Sequence, residues 1–90
     1  MLEKKVKIIN PLGLHARAAA SLVRLAGTFQ SEIRIKRTDN AAIADAKSIL
    51  SVLTLAASKG VELDVEIEGE DESRAAKEIE ELINKGFGEI

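Results

Sequence analysis

The chain has 90 residues, of which 46% are hydrophobic and 2% aromatic, and its formal net charge is −2. This length is typical of one domain with an aliphatic core, and it leaves no room for a second core or a large internal cavity. The slight negative charge does not favour sequence-independent binding to nucleic-acid phosphates. The absence of cysteine excludes disulfides, thiolate catalysis and cysteine-ligated metals.

The amino-terminal segment, MLEKKVKIINP, carries charges but has no sustained apolar stretch or small-residue cleavage site, so we do not expect a signal peptide. No run of residues has the length needed to span a bilayer. Together with the absence of cysteine, these features fit a protein of the reducing cytoplasm that does not bind membranes.

Strand and helix patterns alternate through the first half of the chain. Apolar and charged side chains alternate over residues 4–9, which predicts a strand. Residues 10–13 contain proline and glycine and end it. A helical pattern then covers residues 16–26, and we expect Gly27 to end this helix in a left-handed conformation. The predicted inner stripe of this helix is Ala19, Leu22, Val23 and Ala26.

The second half of the chain begins with two short strand patterns, over residues 32–36 and 41–44, which a polar turn joins. Residues 47–57 have a helical pattern again, and Ser48 is able to cap the start of this helix. Its predicted inner stripe consists of Ile49, Val52, Leu53 and Ala56.

The clearest strand pattern is residues 61–68, where apolar and acidic side chains alternate strictly, so one face is predicted to be buried and the other hydrated. We interpret the acidic face as a solvated surface rather than a metal site, because it lacks a histidine or a tight loop to complete an oxygen cage. Asp71 then opens a last helix, Gly86 ends it, and Phe87 can pack against its final turn. The acidic face consists of Glu62, Asp64, Glu66 and Glu68.

The predicted element order is β-α-β-β-α-β-α. The simplest way to bury every apolar stripe is an α+β fold, an open-faced β-sandwich in which three helices cover one face of a four-stranded antiparallel sheet. The chain has no repeat, linker or low-complexity segment, so residues 1–90 are predicted to form a single domain.

His15 is the only histidine of the chain. It lies at the start of the first predicted helix, where free backbone amides and the helix dipole attract anions. A neutral imidazole nitrogen can accept a phosphoryl group, and the planar guanidinium of Arg17 can pair with phosphate oxygens. We therefore predict a small phosphate site formed by His15, Arg17 and the backbone amides of Ala16 and Arg17. An isolated His-x-Arg is weak evidence, because it also fits a histidine that merely begins a helix beside a surface arginine.

Two segments strengthen this interpretation. Residues 13–19, GLHARAA, resemble the active-site motif of the HPr family of the bacterial phosphoenolpyruvate-dependent phosphotransferase system. Residues 47–50, KSIL, resemble the second motif of that family. Length and element order also fit, so the resemblance covers essentially the whole chain as a single HPr-like domain. Two motifs at compatible spacing are far more specific than either motif alone.

The resemblance implies that the chain is a phosphocarrier. His15 would be phosphorylated at its Nδ1 atom by the phosphorylated form of Enzyme I, whose own donor is phosphoenolpyruvate, and would pass the group to a IIA component for sugar uptake. Arg17 would stabilise the charge of the transferring phosphoryl group. Such a carrier is an intermediate in a relay rather than an enzyme. We expect it to need no cofactor or metal and to be a monomer.

One position departs from the family pattern. The family usually has a proline after the arginine, and this chain has Ala18. Proline in a first helical turn fixes the backbone without losing a needed hydrogen bond, whereas alanine is simply a good helix former. We expect Ala18 to preserve the helix. The properties that this alanine can alter are the rigidity of the site and the rate of phosphoryl transfer.

The second motif has two implied roles. By resemblance to homologues controlled by an HPr kinase/phosphorylase, Ser48 is a candidate regulatory phosphorylation site as well as a helix cap, and a phosphate there would repel an acidic partner. The apolar side chain of Leu50 is predicted to belong to a docking surface for partner proteins, with basic residues around it. The candidate docking residues are Arg24, Lys47, Ile49, Leu50 and Leu53.

Other functions stay open at the level of sequence. A regulatory module of the same fold would use Ser48 phosphorylation, or binding to a transcriptional regulator, as its main output. Residues 84–87, NKGF, also resemble the nitrogen-related branch of the family, in which the carrier serves regulation rather than transport. An RNA-binding domain is disfavoured, because such domains use exposed aromatic residues and neither Phe29 nor Phe87 lies on a predicted strand.

Overall fold

The strands and helices follow the apolar patterns of the chain. The computed structural model describes residues 1–90 and confirms the order β-α-β-β-α-β-α. The elements are β1 (Leu2–Lys7), α1 (Ala16–Ala26), β2 (Glu32–Arg37), β3 (Ile43–Asp45), α2 (Ile49–Thr54), β4 (Glu62–Glu68), α3 (Glu72–Asn84) and a terminal turn of 3₁₀ helix (Gly86–Gly88).

All four strands have boundaries that differ from the prediction, β2 and β4 at one end by a single residue and β1 and β3 by more. β1 begins two residues earlier because Leu2 already pairs with Ile67 of β4, and it ends two residues earlier at Lys7, opposite Glu62. Ile8 still exchanges backbone hydrogen bonds with Gly60 and Val61, at 2.7 and 3.0 Å. β3 covers residues 43–45 rather than 41–44, because a turn with Ala41 at a φ of 61° precedes it.

The four strands form one antiparallel sheet in the order β1-β4-β2-β3. Alternate residues along β2 and β4 are buried, and those of β1 are buried or half-buried, so the sheet has a single apolar face. Buried residues of all three helices belong to the same core cluster, which places the helices on that face and confirms the open-faced β-sandwich. The largest buried aliphatic side chains are Ile8, Leu22, Ile33, Ile35, Leu55, Leu63, Ile67, Ile79 and Ile83.

The other face of the sheet carries mostly charged side chains. The acidic residues of β4 lie between basic residues of β1 and β2, with Lys5 Nζ 3.3 Å from Asp64 and Arg34 Nε 3.6 Å from Glu66. Such exposed pairs contribute little to stability. They make this face a hydrated surface, as the alternation of β4 predicts.

α1 has the predicted boundaries but ends differently. Gly27 has a φ of −66°, so the expected left-handed conformation is wrong. Its amide continues the helical bonding to the carbonyl of Val23 at 2.9 Å, and the next two amides each bond three residues back. This tightening satisfies the last carbonyls of the helix and turns Phe29 into the core.

α2 is shorter than predicted and presents a different face to the core. The Arg37 guanidinium donates hydrogen bonds to the carbonyls of Leu55 and Ala56, at 2.8 and 3.2 Å, and Ala56 takes a φ of 49°, so the helix ends at Thr54. The buried residues of this region are therefore Val52, Leu55 and Ala57. In the predicted inner stripe, Ile49 and Ala56 are exposed and Leu53 is half-buried.

α3 ends as predicted, since Gly86 has a φ of +60° and Phe87 packs against the core. Asp71 directly precedes α3 but does not cap it. Its carboxylate accepts hydrogen bonds from the amides of Gln30 and Ser31, at 2.9 and 3.0 Å, and from the Ser31 hydroxyl. These bonds hold the start of α3 against the loop before β2. None of the helices is long and apolar enough to cross a membrane.

Candidate functional site

The loop between β1 and α1 is built around a buried asparagine. Asn10 is fully buried; its Nδ2 atom donates to the carbonyl of Gly13 at 2.8 Å, and its own carbonyl accepts the amide of Gly13 at 3.1 Å. Gly13 has a φ of +67°, and a Cβ there would lie 2.5 Å from the carbonyl oxygen of Ala57, so the position requires glycine. Leu14 donates its amide to that same oxygen at 2.8 Å. The loop therefore fixes His15 relative to the segment that follows α2.

His15 is the residue from which α1 begins. Its backbone is extended, and its carbonyl accepts the first helical bond, from the amide of Ala19 at 2.8 Å. The imidazole is 25% exposed and does not cap the helix. The amides of Ala16 and Arg17 consequently have no acceptor within the chain. These amides and the helix dipole give this end of α1 an affinity for anions.

A carboxylate from the other end of the chain lies against the imidazole. Nε2 of His15 is hydrogen-bonded to Oε2 of Glu89, and Oε1 of Glu89 accepts a bond from Nδ2 of Asn10 at 2.9 Å. The Asn10 bond, then the His15 bond and the charges of His15 and Arg17, outweigh burial and lower the pKa of Glu89 below its ordinary value. Glu89 is therefore an ionised carboxylate at neutral pH, and only 15% of its side chain is exposed.

Sequence reasoning missed Glu89. It lies 74 residues from His15 along the chain and reaches the imidazole through the tail that follows α3. Gly86, Phe87 and Gly88 have φ values of 60°, 58° and 76°, and this turn reverses the chain. The two glycines that flank Phe87 are the only sequence signal for the reversal, and they do not indicate where the reversed chain goes.

Arg17 lies beside a recess that is open to solvent. The side chain is exposed, and the recess has a volume of about 360 Å³. Its walls are Pro11, Leu12, Arg17, Gly88 and Glu89. The carboxylate that binds the imidazole thus forms one wall and the arginine another. A shallow, open site of this kind suits a small group that a second protein delivers, rather than an enclosed substrate.

Nearly the whole chain matches one family of known proteins. The family model described as PTS HPr component phosphorylation site matches residues 2–85. The chain belongs to the HPr family. This match confirms the predicted family, and the chain is a phosphocarrier of the phosphotransferase system.

Individual HPr proteins match over nearly their full length. The phosphocarrier protein HPr of Pseudomonas aeruginosa is 46% identical over 85 residues, which are 94% of this chain and 93% of that protein. The crystal structure of HPr-C-His from Thermoanaerobacter tengcongensis has a TM-score of 0.92 at 38% identity and covers 100% of this chain and 99% of its own. A crystal structure of an HPr dimer from the same organism has a TM-score of 0.77 at 38% identity, covering 99% of this chain and 100% of its own.

Ser48, in the segment that resembles the second HPr motif, caps α2, as predicted. The Ser48 hydroxyl oxygen accepts the amide of Ser51 at 3.3 Å. Ile49 and Leu50 follow directly and are both exposed, Leu50 with 74% of its surface. Two large apolar side chains therefore face solvent next to the capping serine.

The five predicted docking residues are not equally available. Arg24 is exposed on α1, and Ile49 and Leu50 are exposed on α2. The Nζ atom of Lys47 donates to the carbonyl of Phe29 at 2.8 Å, and Leu53 is half-buried against the core. Lys47 and Leu53 thus already make contacts within the chain and are less available to a partner than the other three.

Ala18 is the position at which the resemblance to the HPr motif departs from the usual pattern. It is buried in the first turn of α1, and its amide has no hydrogen-bond acceptor within the chain. A residue with or without an amide proton is therefore compatible with this turn. The helix is preserved, as predicted.

Proposed function

We propose that this chain accepts a phosphoryl group on Nδ1 of His15 from the phosphorylated form of Enzyme I, and donates it to a IIA component, in the cytoplasm and for sugar uptake. The observation that supports this most strongly is the placement of the imidazole. It lies at the start of α1 beside exposed Arg17, and its Nε2 atom is bound to Glu89. With Nε2 engaged, Nδ1 is the ring nitrogen left for phosphorus.

The proposed transfer forms a bond between Nδ1 and phosphorus and breaks the bond between phosphorus and the donor. Donation to the acceptor protein reverses these roles. In this proposal the Arg17 guanidinium and the amides of Ala16 and Arg17 supply hydrogen bonds for the phosphoryl oxygens. The two amides have no acceptor within the chain, which leaves them free for this role. Catalysis of this kind is mostly positioning and electrostatics, so an open site that a partner completes is sufficient.

Incubation with phosphoenolpyruvate and Enzyme I tests the assignment. The wild-type chain should acquire one acid-labile phosphate, and His15→Ala should acquire none, because the chain has no other histidine. Arg17→Ala should be labelled roughly a hundredfold more slowly, since a preorganised donor to the phosphoryl oxygens is lost. Lys77→Ala removes an exposed positive charge from α3 and should keep the wild-type rate. Labelling of His15→Ala at the wild-type level would refute the proposal.

We infer that partner proteins bind the docking surface formed by Arg24, Lys47, Ile49, Leu50 and Leu53. Its centre is the exposed apolar pair on α2, and its basic residues lie on α1 and directly before α2. An apolar centre with a charged rim is the usual anatomy of a transient interface. The positive rim favours an acidic partner face and faster association with it.

A second candidate function is regulation through Ser48, which its position directly before Ile49 and Leu50 favours. An HPr kinase/phosphorylase would add about two negative charges at the start of α2, where the helix tolerates them but an acidic partner would be repelled. The modified chain would then serve a transcriptional regulator. Peptide mass spectrometry after kinase treatment tests this: phosphate on Ser48 and not on Ser51 supports it, and an unmodified Ser48 contradicts it.

The identity of the acceptor separates sugar uptake from nitrogen-related regulation. Residues 84–87 resemble the nitrogen-related branch and form the connection between α3 and the tail that carries Glu89. The phosphorylated chain should be offered a sugar-type and a nitrogen-type IIA component in parallel. Faster transfer to the sugar-type protein supports the proposal, whereas transfer to the nitrogen-type protein alone would replace it with the nitrogen-related function.

A further inference from the structure

We infer that Glu89 is a positioning residue, which determines the ring nitrogen of His15 that carries the proton. The inference rests on the proposed function, in which Nδ1 of His15 accepts the phosphoryl group. A continuous series of hydrogen bonds leads from the loop to the imidazole. Nδ2 of buried Asn10 binds the carbonyl of Gly13 at 2.8 Å and Oε1 of Glu89 at 2.9 Å, and Oε2 of Glu89 binds Nε2 of His15.

The protonation state of the carboxylate decides the protonation of the ring. The bond from Asn10 is the largest of the effects that lower the pKa of Glu89, so Glu89 is ionised at neutral pH. An ionised carboxylate can only accept hydrogen bonds, and Nε2 of His15 must therefore carry a proton. In a neutral imidazole the other nitrogen then holds the lone pair. Glu89 thus selects the tautomer in which Nδ1 is the nucleophile.

The same contact assists the transfer step. When Nδ1 attacks phosphorus and the donor's bond to phosphorus breaks, the proton on Nε2 stays in place and the ring becomes positively charged. Glu89 stabilises that charge from the Nε2 edge of the ring, away from the phosphoryl oxygens on Nδ1. It touches neither phosphorus nor the donor. A carboxylate that orients a histidine acts in this way at other sites.

The tail of the chain is shaped to deliver this carboxylate. Phe87 has a φ of 58°, a value that residues other than glycine rarely adopt, and it lies between two glycines that also have positive φ. The amides of Gly88 and Glu89 bond to the carbonyls of Lys85 and Gly86, at 3.1 and 2.9 Å. The half-buried Phe87 side chain packs against the core and anchors the turn. Rare backbone conformations cluster at functional sites, so the positive φ of Phe87 next to His15 is consistent with a functional role for this turn.

Two substitutions distinguish selection of a tautomer from a general effect of charge. In Glu89→Gln, Nδ2 of Asn10 still needs an acceptor and holds the new amide oxygen, so the amide nitrogen faces Nε2 of His15. That nitrogen can only donate, which favours the tautomer with the proton on Nδ1. Glu89→Ala imposes neither tautomer. Glu89→Gln should therefore be phosphorylated more slowly than Glu89→Ala. A simple loss of packing predicts the reverse order, and a simple loss of charge predicts equal rates.

The rate of phosphorylation by Enzyme I should fall about tenfold in Glu89→Ala and about a hundredfold in Glu89→Gln. The change should lie in kcat rather than in the KM for the chain, because the docking surface is unaltered. Glu81→Gln makes the same change of charge at an exposed position of α3 and should keep the wild-type rate. Circular dichroism should show all three variants folded. A Glu89→Gln variant that is folded and at least as fast as Glu89→Ala would overturn the inference.

Nitrogen NMR of the imidazole reads the tautomer without any donor protein. At a pH where the ring is neutral, the proton of His15 should be on Nε2 in the wild-type chain and mainly on Nδ1 in Glu89→Gln. A wild-type proton on Nδ1 would also overturn the inference. This readout separates the two proposals: if the wild-type chain accepts no phosphate, the proposed function fails, while the NMR spectra still decide the role of Glu89.

Discussion

Two residues of the loop between β1 and α1 determine where His15 lies. Asn10 is fully buried and binds both Gly13 and Glu89, yet its own Oδ1 atom has no hydrogen-bond partner within the chain. A buried polar atom without a partner costs about 1–3 kcal/mol. Asn10, which connects Gly13 to Glu89, therefore lowers the stability of the fold through its unpaired Oδ1 atom. A buried polar atom of this kind is typical of a position under functional constraint.

Gly13→Ala should reduce the free energy of unfolding by at least about 2 kcal/mol. The new Cβ would lie 2.5 Å from the Ala57 carbonyl oxygen and 2.8 Å from the Cα of Ser58, at a φ of +67°. Gly60 is the matched control, since its φ is +94° but no atom lies within 4 Å of its Cβ position. Gly60→Ala should cost only the conformational part, about 1 kcal/mol. Urea unfolding measures both, and equal losses would contradict the steric explanation.

The residues of the site differ in how well sequence predicts them. His15 and Arg17 lie two positions apart within one motif at a helix start, so local sequence contains both the nucleophile and its cation. Glu89 is brought to the imidazole by a turn at the far end of the chain and by the Nδ2 atom of Asn10. The hydrophobic pattern around His15 and that of the carboxyl-terminal tail give no indication that Glu89 contacts His15.

Among the elements, α1 and β4 were predictable and α2 was only partly so. α1 has 11 residues with a continuous apolar stripe, and β4 alternates strictly. α2 has six residues, and its end is set by Arg37 of β2 and by the left-handed backbone of Ala56. A helix this short depends on tertiary contacts more than on its own pattern. For that reason the predicted inner stripe was wrong for Ile49 and Ala56.

The contact between α3 and the loop before β2 should make stability depend on pH. Hydrogen bonds from Ser31 and Gln30, led by the Ser31 hydroxyl, lower the pKa of Asp71 from 3.8 to about 2. Because the folded-state pKa lies below the unfolded one, this contribution is fully present above about pH 4 and is lost as the pH falls through about 2. Urea unfolding should show wild type more stable than Asp71→Asn at neutral pH, with the difference closing in that acidic window. If the stability difference between wild type and Asp71→Asn is the same at neutral pH and near pH 2, the result would argue against the contact.

At the scale of the whole molecule, the fold gives the two faces of the sheet different roles. The open face consists mostly of paired charges, whereas the helical side presents the imidazole, Arg17 and the exposed side chains of α2. The charged face offers little apolar surface for self-association, which favours a monomer. Because a relative forms an HPr dimer, the monomer stays a prediction, and light scattering of the purified chain at increasing concentration tests it.

The docking surface should influence partner binding without influencing stability. Leu50 is 74% exposed, so Leu50→Ser should change the free energy of unfolding by no more than about 0.5 kcal/mol. Loss of an apolar contact at the centre of the interface should raise the KM of Enzyme I for the chain roughly fivefold, equivalent to about 1 kcal/mol. Ile43→Ser changes another exposed apolar residue, on β3, and should leave this KM unaltered. An unchanged KM in Leu50→Ser would place the interface elsewhere.

The most direct test of phosphoryl transfer to His15 is NMR of isotope-labelled chain after incubation with phosphoenolpyruvate and Enzyme I. Coupling between phosphorus and a ring nitrogen identifies the bonded atom. We predict coupling to Nδ1 of His15, with the ring proton on Nε2, where Glu89 accepts it. Phosphorus bonded to Nε2, or to any residue other than His15, would contradict the proposed function of this HPr protein.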